Sequence, residues 1–346
     1  MPTATELLAD PDWFPHRVDV QSGAVRFVRI PRDVQRGVTF LADEYLPQSV
    51  PRAELTATAL QSRVPPVPPG RPQFVFHSAF CCSTLLTRAL DVPGHVFGLK
   101  EPAALNDLAA AKLAKAPALR LTELLDRVLS LLARTTTPGE AIVIKPSNVA
   151  NNLLESCLES RPQAHALLMY SELPAFLRSI AHKGLWGRTW ARQLFQNLRP
   201  TATLDTGFSA DELFRQSDLQ IAGLCWLMQH AQFVRALARF GDTRIRTLDS
   251  AVLLADPEHA LLALSEHFAL GLTPEATVTI ARGPIFRENS KSMTEGYDRA
   301  VRAEEHAAVD AAHGEEIGMV TQWVRTVAQH CGVSLTIGAP LLAQTP

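Results

Sequence analysis

Four short apolar runs punctuate the chain: FVFH (74–77), AIVIKPS (141–147), HALLMYS (165–171) and TRIRTLDS (243–250). After each, apolar residues resume at helical spacing, as in STLLTRALD (83–91) and PEHALLALSEHFAL (257–270). Apolar runs this short, bounded by polar residues, read as strands buried on both faces. VFGL, just before Lys100, adds a fifth candidate strand. Strands that alternate with helices need crossover connections, so the expected fold is a three-layer α/β/α sandwich around a central parallel sheet of about five strands. A helical region at about 103–134, and another running to about Phe240 behind a Ser209–Glu212 capping box, supply the outer layers. Hydrophobic residues make up 47% of 346, enough for a substantial core.

The first 63 residues read differently. Alternation in RVDVQ (17–21), VRFVRI (25–30) and VTFLA (38–42) predicts a small antiparallel meander, a β-rich extension over 1–63. VPPVPPGRP (64–72) suits neither regular helix nor central strand and is expected to be a linker, with the α/β domain spanning 73–346. A formal net charge of −2, from 33 basic and 35 acidic residues, leaves no global field for nucleic acid or an anionic membrane. The start, MPTATELLADPDW, lacks a signal-peptide pattern, and no apolar run reaches the roughly 18 residues of a membrane span. Five cysteines without a CxxC spacing fit a reducing compartment, so a cytoplasmic protein is expected. The histidines show no metal-ligand spacing, and no G-x-S-x-G is present, so neither a metal site nor a serine hydrolase is expected.

Chemistry concentrates where the first α/β-domain strand hands over to its helix, FVFHSAFCCSTLL (74–86). A helix starting beyond a strand end offers unpaired N–H groups, so residues 78–84 could hold a phosphate, with the Ser83 and Thr84 hydroxyls as further donors. The other reading is a Ser/Thr helix cap over two buried cysteines. Registered on G-x-x-x-x-G-K-[ST], His77 and Cys82 fall on the glycines and Ser83 on the lysine, which argues against kinase or triphosphatase chemistry of the usual kind.

Residues 79–86, AFCCSTLL, overlay P-[KR]-S-G-T-T-x-L, and RAL (88–90) follows. LCWLMQHAQFVRALARFGD (224–242) and IRTLDSAVLLADPEHALLALSEHFALGL (245–272) match a long helix, then a strand, L-L-x-D-P and a helix ending L-G-L. SELPAFLRS (171–179) overlays R-[DN]-P-x5-S, and FRENSKSMTEGYD (286–298) is similar to a basic loop near the chain end. From about 74 to 300 the chain thus resembles the sulfotransferases that use 3′-phosphoadenosine-5′-phosphosulfate (PAPS), whose fold is related to nucleotide kinases. The resemblance implies sulfuryl transfer to a hydroxyl or amine of a small-molecule or carbohydrate acceptor, with 3′,5′-adenosine bisphosphate (PAP) as product and no metal. It implies that Ser78, Cys81, Cys82, Ser83 and Thr84 hold the 5′-phosphosulfate, and that Ser171, Ser179, Arg287 and Lys291 hold the 3′-phosphate.

Three positions depart from the family pattern: Phe80 stands where the loop has lysine or arginine, Cys82 where it has glycine, and Ser171 where it has arginine. Cysteine at 82 is expected to disfavour a left-handed backbone. His77, if protonated, or Lys145 at the end of its strand would replace the missing cation; a backbone-bonded buried histidine is the other reading of His77. Glu101, in GLKEPAAL, is the candidate base for the acceptor, or else a cap for the helix that follows. Trp186, Trp190 and Phe195 either line an acceptor pocket or anchor a flap. A nucleotide-binding protein that has lost catalysis, and less so a small-molecule kinase, are the competing functions.

Overall fold

Five parallel strands, β4 (Pro72–His77), β5 (Val96–Lys100), β6 (Ala141–Lys145), β7 (Ala166–Tyr170) and β8 (Ile245–Asp249), hydrogen-bond in the order β5-β6-β4-β7-β8. The computed structural model describes residues 2–61, 70–202, 204–287 and 299–342, so most of the proline-rich 64–72 stretch and Lys291 lie outside the described residues. Alternate residues of these strands enter two different cores. Phe74, Phe76, Phe97, Leu99, Ile142, Ile144 and Leu168 pack on one face, while Val75, Val96, Val143, Leu167, Met169 and Leu248 pack on the other. That division is the period-2 signature of a sheet covered on both sides, and it explains why the strands read as continuous apolar runs. A third, all-helical core joins Leu173–His182, Gly184–Leu198 and Asp218–Phe240 to the C-terminal Arg299–His330 helix.

The N-terminal sheet is antiparallel, β1 (Trp13–Asp19), β2 (Ala24–Arg29) and β3 (Arg52–Leu55). Residues 38–42 are not its third strand. Leu41 instead donates to Lys100 O (2.7 Å) and accepts from Ala103 N (3.1 Å), so this stretch lies along the end of β5. The sheet shares one core with β4, β5 and β6. Buried Arg134 fastens it, donating to the carbonyls of Leu7 (2.6 Å), Asp10 (3.0 Å) and Trp13 (2.5 Å). The expected 103–134 helix is two, Ala103–Leu113 and Ala118–Leu132. Pro117 disfavours helical backbone at Ala116, and Lys115 turns left-handed at φ +57°. The Ser209–Glu212 capping box is present, but its helix stops at Arg215, and a second box at Ser217–Gln220 opens Asp218–Phe240. No described helix is long and apolar enough to cross a membrane.

Candidate active site

The order β5-β6-β4-β7 brings the carboxyl ends of four strands together, with Lys100 level with Lys145 and His77 level with Met169. Ligands of open α/β sheets sit outside such a row of strand ends. A cavity of about 580 Å³ opens here. It is lined by His77, Ala79, Phe80, Cys81, Cys82, Ser83 and Thr84 at the end of β4 and in its crossover, Glu101, Asn106 and Asn148 from the segments that follow β5 and β6, and Ser179 with its neighbours Arg178 and Lys183.

The loop after β4 contains three non-glycine residues in the left-handed region, Ala79 (φ +69°), Phe80 (φ +50°) and Cys82 (φ +60°). Cys82 therefore adopts the conformation that its side chain was expected to disfavour. Each such residue costs about 1 kcal/mol or more. The loop is fixed from behind, which offsets that cost: Ser78 N donates to Met169 O (3.0 Å) and Ala79 N to His77 Nδ1 (3.1 Å). Ser83 begins the Ser83–Leu90 helix at the cavity wall. Phe80 turns its ring onto Trp190 (5.1 Å between centroids) and Phe176 (6.1 Å), both edge-on, so the position of the family's cation is an apolar contact here.

His77 is bonded to backbone: Nδ1 accepts the Ala79 N–H (3.1 Å), and Nε2 lies 3.1 Å from Pro146 O and 3.3 Å from Lys145 Nζ. Lys145 is withdrawn from the cavity. Its side chain has 0% exposure, its Nζ lies 2.5 Å from Glu101 Oε1, and it sits 5.3 Å from the Phe40 ring centroid. Glu101, whose N–H donates to Lys145 O (2.7 Å), is held at φ +53° with its side chain 21% exposed toward the cavity. Oε1 is taken by Lys145, and Oε2 has no hydrogen bond to a described residue. Lys100 points away, donating to Arg36 O, and burial lowers its pKa to about 8.

Ser78 and Ser171 are buried and do not line the cavity; the hydroxyl of each has no hydrogen-bond partner among the described residues. Cys81 donates its thiol to Met169 O (3.4 Å), and burial pushes its pKa up to about 12, so it packs rather than reacts. Ser179 reaches the cavity although its hydroxyl also donates to Ala175 O (3.0 Å). Arg287 is exposed at the end of Pro284–Arg287, and Phe286 lines the wall in its stead. Trp186 and Trp190 stack (6.4 Å) on the cavity wall, whereas Phe195 belongs to the helical core.

Several wall residues were not singled out from sequence. Phe40, Glu44 and Tyr45 arrive from the N-terminal segment. Asn148 is buried at the wall, and its amide makes no hydrogen bond to a described residue. Its only sequence signal is that it stands three residues beyond the end of β6. Arg178, adjoining Ser179, pairs with Asp310 (2.7 Å). Among the described residues no group of three or more His, Cys, Asp or Glu side chains could hold a metal ion.

No protein-family model matches the chain, and no curated protein matches it. Three bacterial sulfotransferases are among the solved structures to which it is similar. STF1 from Mycobacterium tuberculosis H37Rv aligns at 16% identity and a TM-score of 0.40, over 62% of this chain and 72% of that one. STF9 from Mycobacterium avium aligns at 13% and 0.42, over 75% and 79%. The sulfotransferase domain from the curacin biosynthetic pathway aligns at 12% and 0.40, over 78% of this chain and 100% of its own.

Proposed function

We propose that the chain is a sulfotransferase that moves a sulfuryl group from PAPS to a hydroxyl or amine of a small-molecule or carbohydrate acceptor. The observation that carries this reading is one cavity holding two different tools: a left-handed loop leading into a helix N-terminus, and a carboxylate anchored by a fully buried lysine. The first suits an anion, because the start of the Ser83–Leu90 helix, with Ser83 and Thr84, lines the cavity there. The second suits proton removal, because one carboxylate oxygen is occupied by Lys145 and the other makes no hydrogen bond to a described residue.

In this reading the acceptor oxygen or nitrogen attacks sulfur, the bond between sulfur and the bridging phosphate oxygen breaks, PAP departs, and Glu101 Oε2 receives the acceptor proton. Lys145 acts only through Glu101, as a positioning residue. The donor that the loop lacks at Phe80 is assigned to Asn148, a wall residue whose Nδ2 makes no hydrogen bond to a described residue. Ser179, with Arg178 and Lys183 beside it, meets the 3′-phosphate.

The test is calorimetry with PAP, followed by an assay of PAP release from PAPS across an acceptor library. Heat with PAP and acceptor-dependent release support the reading. Absence of heat with PAP, or binding of Mg·ATP in its place, sinks it. A second reading is favoured by the packing of Phe80 on Trp190 and Phe176: a nucleotide-binding protein without turnover, which would give heat with PAP but no release.

A further inference from the structure

The loop after β4 has neither the glycine nor the lysine that would make such a turn easy to form and to use. Something else must keep it in shape. Two buried side-chain amides grip it from the side away from the cavity. Asn151 Nδ2 donates to His77 O (2.9 Å), and Gln229 Nε2 donates to Ser78 O (3.3 Å). The two amides are joined, Asn151 Nδ2 also lying 3.2 Å from Gln229 Oε1, and both side chains have no solvent exposure. With these two carbonyls held backward, the chain reaches Ala79 already turned.

Gln229 lies on the Asp218–Phe240 helix, and three residues earlier Trp226 occupies the same face. The indole Nε1 donates to Ser171 O (2.8 Å), the carbonyl between β7 and the Leu173–His182 helix that carries Ser179. One helix face therefore holds the backbone at the ends of both β4 and β7, one grip for each of the two loops assigned to phosphates. Both gripped carbonyls belong to residues whose own hydroxyls, Ser78 Oγ and Ser171 Oγ, are buried and have no hydrogen-bond partner among the described residues, so the backbone is held where the side chain is not.

We propose that Gln229 and Trp226 are positioning residues that fix the two nucleotide loops independently, Gln229 with Asn151 setting the 5′-phosphate loop and Trp226 setting the 3′-phosphate segment. The inference rests on the sulfotransferase reading above and goes beyond it by assigning a separate grip to each phosphate. A residue that merely stabilised the fold would lower the melting temperature without changing the affinity of the folded protein.

The experiment measures binding of two probes, PAP and adenosine 5′-phosphosulfate, the second lacking the 3′-phosphate. Gln229→Met, apolar and of similar length, is expected to weaken both by about tenfold, as one lost positioning hydrogen bond does. Asn151→Ala, which removes the shared partner from the other side, is expected to do the same. Trp226→Phe keeps a ring but loses the donor, and is expected to weaken PAP by about tenfold while leaving adenosine 5′-phosphosulfate within twofold of wild type. The melting temperature of each variant reports folding. Folded variants that bind both probes like wild type, or a Trp226→Phe protein that loses both equally, overturn the inference. If wild type itself binds neither probe, the sulfotransferase reading fails, which is a different result.

Discussion

Replacing either partner of the Lys145–Glu101 pair tests whether this wall is organised around a buried charge. The two side chains differ in one respect that decides the outcome: Lys145 has 0% exposure, whereas Glu101 keeps 21%. Glu101→Gln leaves an ammonium sealed beside the Phe40 ring with no counter-charge, the situation that costs about 3–5 kcal/mol in measured cases. Lys145→Met leaves a carboxylate that can take water from the cavity, at a cost of about 1–3 kcal/mol. Removing both leaves no uncompensated charge, so the double variant is expected to be more stable than Glu101→Gln alone, with a coupling of roughly 2–3 kcal/mol. Equilibrium denaturation of the four proteins measures this, provided the slope against denaturant is unchanged. Were Lys145→Met to cost as much as Glu101→Gln, or the two effects to add, the ammonium would not be anchored as described, and Glu101 would lose its assigned support.

Three further outcomes follow from the same wall. Phe80→Lys forfeits the edge-on contacts to Trp190 and Phe176, about 1–2 kcal/mol in all, yet is expected to raise PAP release from PAPS by about tenfold or more; unchanged release would mean that the loop does not lack a cation. Cys82, on the cavity wall, is expected to be alkylated by N-ethylmaleimide well before buried Cys81, and PAP is expected to protect it; mass spectrometry showing equal modification, or no protection, counts against a nucleotide at this loop. Burial lowers the pKa of His230, stacked on Trp226, to about 4, so the unfolded chain takes up that proton first as pH falls. Stability is therefore whole above about pH 6.5 and declines toward pH 4 by up to about 1.4 kcal/mol per pH unit, and His230→Gln should flatten that decline in acid denaturation.

The strands were legible because each is an apolar run buried on both faces, and VFGL was found for the same reason. Their order was not legible, since a crossover can carry the chain to either side of a strand. VTFLA imitates a strand because its apolar residues serve two surfaces, Phe40 the cavity and Leu41 the core. The true third strand, Arg52–Leu55, buries only Leu55 fully and offers little alternation to read. Ser83, Thr84, Glu101 and Ser179 were reachable from motif positions. Asn148, Lys183 and the Gln229–Asn151 grip were not, because each depends on how the Asn148–Leu153 turn and the helices after β7 pack beside the sheet. Lys145 was found for its position at a strand end, but its burial depends on Glu101 folding over it.

Left-handed backbone at residues other than glycine is where this chain departs furthest from what stability alone would select. Seven such residues occur among those described: Ala79, Phe80, Cys82, Glu101, Lys115, Ala269 and Ala339. The first four all line one cavity. Glycine would relieve each of them, and an apolar residue at 145 would remove the need to bury a charge. Strain held at that density persists only when the surroundings over-determine it, as the grips on His77 O and Ser78 O and the Lys145 contact to Glu101 do here. Strain held in a cavity wall from three directions is what the proposed function needs of a preorganised site. Its composition, hydroxyls on one side and a half-committed carboxylate on the other, matches the occupant that the proposed function names, anionic at one end and with a proton to give up at the other.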